Sequence, residues 1–210
     1  MLIITILLVF TFCLNLVVYW VLFLRNKKKG KKIFYYKIFP VVWTLSLVPI
    51  PIINASFLRV FFPNNYSYFE DLWIFFILFG IALIIVGISF IKRANRVYKV
   101  KSLDENSSNL ITKGIFKLIR HPIYSSWGII FLGLAIISDS LTSLIISPLI
   151  LIVLEINAIL EEKLILIPKY GKIYENYKKN TPNRIIPTPL NLLLIIVTII
   201  IVYVGFLNFI

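Results

Sequence analysis

From Leu72 to Ile91 the chain runs 20 residues without a charge, and a stretch of that kind leaves few folds open. A helix rises about 1.5 Å per residue, so about 20 residues cross the roughly 30 Å hydrocarbon core of a bilayer. The pattern recurs. Leu2 to Leu24 is an uncharged run of 23 residues directly after the initiator, without a basic n-region or a small-residue cleavage site, and Arg25 follows it. It reads as a retained first helix rather than a signal peptide. Ile38 to Leu58 is a second apolar segment, broken by Pro40, Pro49 and Pro51, which predicts a kinked span packed against its neighbours.

Ile123 to Leu154 extends over 32 residues with Asp139 and Ser140 at its middle. As one helix it would be about 48 Å long, too long for a single crossing. A carboxylate at the bilayer centre costs roughly 2.5 to 3.5 kcal/mol, whereas at a turn it meets water. The expectation is a tight helical hairpin with its tip at Asp139 and a second leg continuing to about Leu160. Leu190 to Ile210, introduced by Pro187 and Pro189, supplies a last segment. The fold class is therefore all-α, a polytopic transmembrane bundle of about six spans. A composition that is 60% hydrophobic and 15% charged, with a mean hydropathy of +0.93, excludes a disordered or polar repeat protein.

The formal charge of +13 would suggest nucleic acid in a soluble protein. Its distribution says otherwise. Of 22 basic residues, seven fall between Arg25 and Lys37, eight between Lys92 and Arg120, and six between Lys163 and Arg184, leaving Arg59. The positive-inside bias then puts these three segments in the cytoplasm and both termini outside, and no nucleic-acid partner is needed. The Lys27 to Lys32 cluster reads first as a topology signal, with attraction to anionic lipid as the alternative. One cysteine, Cys13, provides neither a disulfide framework nor a Cys/His metal set.

Chemistry must come from the two cytoplasmic stretches that flank the hairpin. A hairpin returns the chain to the side it left, so Arg120, His121 and Tyr124 at its start and Glu161 and Glu162 at its end are expected close together. His121 is the only histidine. Adjacent helical residues diverge by about 100°, so one of the two glutamates is expected to face the site while the other caps, pairs or meets water. Glu155 lies almost two turns before Glu162 and is an intramembrane acid, either functional or paired with a polar neighbour. Tyr170, Tyr174 and Tyr177 form a stripe at helical spacing that suits interfacial anchoring, a sulfonium cation or an adenine ring.

These pieces in order, Gly114 to Tyr124 with Arg120-His121-Pro122-Ile123-Tyr124, then Glu161-Glu162, Tyr170-Gly171, Tyr174, Tyr177, Arg184 and Pro187, resemble the catalytic region of isoprenylcysteine carboxyl methyltransferases and the related phospholipid methyltransferases. The resemblance covers about Leu110 to Pro187. It implies an integral membrane enzyme with a small cytoplasmic region that binds S-adenosylmethionine. The methyl acceptor would be a membrane lipid or a prenylated, lipophilic molecule, with isoprenylcysteine first and a phospholipid amine as the alternative. By the motif, Arg120, His121, Pro122, Tyr124, Glu161, Glu162, Tyr174 and Tyr177 hold the cofactor. Glu162, Glu161 and Arg184 are the catalytic candidates, an arginine steering a carboxylate or a glutamate taking a proton from an amine. No metal is implied. Where the family usually has glycine two residues after the motif tyrosine, this chain has Ser126.

The resemblance divides the chain into N-terminal helices and basic loops over 1–109, a catalytic region over 110–189 and a last helix over 190–210. Two other readings stay open. One is an NADPH-dependent sterol or steroid reductase, which shares the His-Pro-x-Tyr element. The other is a non-catalytic membrane protein.

Overall fold

A computed structural model of the chain describes residues 2–27, 42–58, 73–102, 110–186 and 196. Six helices carry these segments: α1 Leu2–Lys27, α2 Val42–Ile53, α3 Trp73–Ser102, α4 Pro122–Ile137, α5 Leu141–Tyr170 and α6 Lys172–Asn180. No strand occurs among the described residues. Three stretches, Ile3–Arg25, Ile74–Lys99 and Leu141–Tyr170, are long and apolar enough to cross a membrane, and α2 and α4 are shorter apolar helices. The chain is an integral membrane protein built as a helical bundle. Apart from Ile196, the expected Leu190 to Ile210 span lies outside the described residues, as do the Lys28 to Lys32 part of the lysine cluster and Arg59, Pro187 and Pro189.

The long run from Ile123 does fold back on itself. Asp139 has φ of +49°, a left-handed conformation that reverses the chain between α4 and α5. Ser140 then caps α5, its hydroxyl accepting from the backbone N–H of Ser143 at 3.4 Å. The expectation that Asp139 meets water is corrected: it is 8% exposed. Asn54 to Leu58 lies over the turn, with the Ser56 N–H donating to the Ser138 carbonyl at 2.8 Å. The second apolar segment also differs from a continuous span. Within the described part, helix stops at Ile53 and a short 3₁₀ turn, Ser56–Leu58, follows. Pro49 and Pro51 contribute no N–H to this helix.

Two helix pairings place the site. In the first, α3 runs antiparallel along α4 at unusually close range. A Cβ on Gly80 would lie 2.7 Å from the Gly133 carbonyl oxygen, and one on Gly133 would lie 2.7 Å from that of Gly80. Small residues let membrane helices pack on backbone contacts in this way. Further along, a Cβ on Gly87 would lie 3.0 Å from the Ser126 carbonyl oxygen, so the approach permitted by glycine comes from α3. Ser126 itself is buried and its hydroxyl donates to the Pro122 carbonyl at 2.6 Å.

In the second, α1 and α2 pack on the hairpin through a core that includes Phe12, Trp43, Leu47, Phe131, Ile150 and Leu154. Asn54 bonds Thr5 at one end of α1, and Trp20 Nε1 donates to Asn157 at 2.7 Å at the other. The start of α1 therefore sits beside the hairpin turn, and its end beside the open end of the hairpin.

Candidate functional site

At that open end the chain rises from Gly114 through a 3₁₀ turn, Gly114–Lys117, and enters α4 at Pro122. Proline suits the first helical position because its missing N–H is one the helix cannot use there. His121 stands at the N-cap position and Arg120 just before it, so both side chains reach across to α5. Arg120 Nε donates to Glu162 Oε1 at 2.8 Å. The same Oε1 lies 3.3 Å from His121 Nε2 and 3.3 Å from Arg184 Nε. His121 Nδ1 lies 3.5 Å from Glu161 Oε2, to which the Tyr124 hydroxyl donates at 2.8 Å.

Both glutamates thus meet one imidazole, and they divide the roles expected of adjacent helical residues, Glu162 pairing with Arg120 and Glu161 facing a surface cavity. The ring presents nitrogens on two edges, which accommodates carboxylates that diverge. A change of helix type begins at the same place. Glu162–Leu166 is a π turn, with the Ile167 N–H donating to the Glu162 carbonyl five residues back. Pro168 follows, and a proline ring clashes with the carbonyl four residues before it, which the wider turn relieves. Such turns inside α-helices often occur at functional sites.

A strap closes the arrangement. The N–H groups of Arg120 and His121 donate to the carbonyls of Asn183 and Arg184 at 3.0 and 2.9 Å. Arg120 Nη1 donates to the Thr181 and Pro182 carbonyls, and the Ser125 hydroxyl donates to that of Ile185. Arg184 is thereby brought back to α5, where its Nη1 pairs with Glu155. Of the two readings of Glu155, the structure gives the paired one.

Beside this network lies a cavity of about 270 Å³ that opens at the surface. Its walls are rich in aromatics, with Tyr98, Phe116, Tyr124, Tyr170, Tyr174 and Tyr177 beside Arg120, His121, Pro122, Glu161 and four aliphatic residues. The Glu161 side chain is 30% exposed and forms part of the wall, while that of Glu162 is 3% exposed and sits behind it. Arg184 does not line the cavity. The Tyr177 hydroxyl donates to the Phe116 carbonyl at 2.6 Å, and the His121 and Tyr124 rings stack with centroids 5.5 Å apart.

Burial lowers the pKa of His121, but hydrogen bonds to Glu161 and Glu162 and the charges of both outweigh it. The imidazole is held above the ordinary histidine value of 6.5. Burial, reinforced by the charge of Glu162, raises the Tyr174 phenol, and burial likewise raises that of Tyr177. Both therefore stay neutral donors at physiological pH.

Two wall residues escaped the sequence. Tyr98 stands in the cationic last turns of α3 and reads there as an interfacial anchor, and Phe116 reads as one apolar residue of a short amphipathic piece. The edge of one ring meets the face of the other at 5.5 Å. Each stands beside a lysine, Tyr98-Lys99 and Phe116-Lys117, a pattern shared with Lys169-Tyr170 and Tyr177-Lys178.

The family model for phospholipid methyltransferase matches residues 72–173. The match begins earlier than the resemblance read from the motifs and takes in the whole of α3, the helix that contributes Tyr98. No curated protein and no solved structure matches the chain.

Proposed function

From the premise that residues 72–173 belong to the phospholipid methyltransferase family, we propose that the aromatic cavity holds S-adenosylmethionine and that this membrane methyltransferase acts on an amine-bearing lipid. The family supports a membrane methyltransferase with a lipid-like substrate. The observation that carries the rest is the partly exposed carboxylate of Glu161, fixed by His121 and Tyr124 in the wall of an aromatic-rich cavity.

The residues suit the cofactor. Its adenine and sulfonium match aromatic faces, which attract cations through their quadrupole, and no lysine intrudes among the wall residues. When bound, S-adenosylmethionine supplies a methyl group on a positively charged sulfur. Tyr98, Phe116, Tyr170 and Tyr174 would line its pocket, where orientation of the bound group would supply much of the acceleration. Glu162 and Arg120 hold the strap and the α4 entrance in place. Glu161 accepts the proton that an ammonium acceptor must lose before its nitrogen attacks the methyl carbon.

Isoprenylcysteine stands first in the resemblance, but the site's charges favour an amine. A carboxylate acceptor needs a guanidinium to steer it. Arg120 already has Glu162 and two carbonyls, and Arg184 already has Glu155 and Glu162. The catalytic region is assigned to 110–189 with α3 as its outer wall, on the cytoplasmic face of the membrane.

Calorimetry of the purified chain in lipid nanodiscs tests the cofactor first. Micromolar binding of S-adenosylhomocysteine without binding of NADPH is expected, and NADPH binding alone would move the chain to the reductases. Radiolabelled methyl transfer to phosphatidylethanolamine, and not to a prenylcysteine, is then the expected acceptor result.

A further inference from the structure

Four aromatic residues of the cavity wall come from four different elements, and each has an exposed lysine next to it in sequence. They are Tyr98 with Lys99 at the end of α3, Phe116 with Lys117 in the 3₁₀ turn, Tyr170 with Lys169 at the end of α5, and Tyr177 with Lys178 on α6. Each aromatic lines the cavity, Tyr98 while itself 45% exposed, and its lysine is exposed. Lys169 Nζ, for example, lies 5.1 Å from the centroid of the Tyr170 ring. Lys113, Lys172 and Lys179 add to this collar, against Glu175 and the partly exposed Glu155 and Glu161 of the same elements. Asp104 and Glu105, outside the described residues, leave the excess positive. Apolar side chains sit among these lysines, with Leu118 62% and Ile173 65% exposed. Cations interspersed with exposed aliphatics are the composition of a surface at the boundary of headgroups and acyl chains.

We propose that this lysine collar is a binding surface for anionic phospholipid headgroups, and that the lipids it gathers keep the cavity mouth accessible to a cationic cofactor. The argument is one of charge. S-adenosylmethionine carries a net positive charge, from a sulfonium and an ammonium against one carboxylate. A positive collar around the mouth opposes its approach. The demethylated product has lost the sulfonium charge and is neutral overall, so the collar does not discriminate against it. A bare collar would therefore weaken the substrate form relative to the product form. Anionic headgroups held by the lysines reverse this. Each basic residue near the surface attracts such lipid by about 1 kcal/mol, and a surface potential of about −30 mV concentrates a monovalent cation roughly threefold. The lipid surface stands on the charge pattern alone, and only the coupling to the cofactor rests on the function proposed above.

Association of spin-labelled phosphatidylglycerol and phosphatidylcholine with the full chain in nanodiscs, without cofactor, tests the surface. The anionic label is expected to associate several-fold more strongly, with a preference that shrinks at high salt. A variant carrying Lys117→Gln, Lys172→Gln, Lys178→Gln and Lys179→Gln should lose most of it. Equal association of the two labels with the wild-type chain overturns the proposal, whether or not the chain transfers methyl groups. The coupling is read by calorimetry of both cofactor forms. In phosphatidylcholine alone the variant should bind S-adenosylmethionine more tightly than the wild type, phosphatidylglycerol should narrow that gap, and S-adenosylhomocysteine should show no gap. A gap of equal size in both bilayers, or one shared by the neutral form, overturns the coupling.

Discussion

Glu161 and Glu162 are neighbours in sequence with different work to do. Glu162 is buried and three cationic or ionisable groups converge on one of its oxygens. Removing one partner from a buried ion pair leaves an uncompensated charge and costs roughly 3 to 5 kcal/mol, so Glu162→Ala should lower the unfolding midpoint in nanodiscs steeply and lose transfer with it. Glu161 faces the cavity and is partly exposed. Glu161→Gln should keep nearly the wild-type midpoint while kcat falls about 10²- to 10⁴-fold, the range typical for a general base. Equal loss of stability in the two variants would contradict this division. His121 adds a pH dependence whose sign follows from its raised pKa. A group with a higher pKa folded than unfolded stabilises fully below the unfolded value of 6.5 and loses that contribution as pH rises through the folded value. Thermal unfolding against pH should show the wild type losing stability above 6.5 and His121→Gln showing no such loss. The sequence announced that these residues would meet, because a hairpin returns Glu161 to His121. It did not announce how, since the rule that adjacent helical residues diverge says nothing of a ring that can receive both.

Among the elements, the hairpin was legible because a single carboxylate, Asp139, interrupts a run too long for one crossing. What covers its tip was not, because the contact runs through the backbone of Ser56 and backbone contacts carry no side-chain signature. The pairing of α3 with α4 has the same character and a sharper test. Gly80→Ala and Gly133→Ala each drive a methyl into a facing carbonyl, whereas Gly128→Ala meets the movable Cδ2 of Leu151. The first two should each cost about 1 to 3 kcal/mol as overpacking does, and the third clearly less, measured by unfolding in mild detergent. The π turn was also hidden, because its only sequence mark is Pro168 and prolines bend helices in several ways. It corresponds to one residue more than a regular helix needs. Deleting Leu164 should restore α-helical pitch, rotate Tyr170 and α6 by about 100° and abolish binding of S-adenosylhomocysteine while the spans still insert.

At the scale of the whole molecule, the start of α1 and the hairpin turn share one end, and the cavity lies at the other. Under the proposed topology the cavity faces the cytoplasm. With Cys13 replaced by serine, Leu2→Cys should react with an impermeant thiol reagent from outside the cell, and Lys178→Cys only in inverted vesicles. Reaction of both from one side would overturn the topology. The strap that finishes the site has a bearing on how the protein is made. Arg120 waits for carbonyls at Thr181, 61 residues downstream, and Glu162 emerges from the ribosome before Arg184 does. Between the emergence of Glu162 and that of Arg184 the nascent chain therefore exposes a half-assembled charge cluster at the membrane surface. Quality-control factors that survey newly inserted proteins would meet that cluster in any copy that stalls before its last stretch.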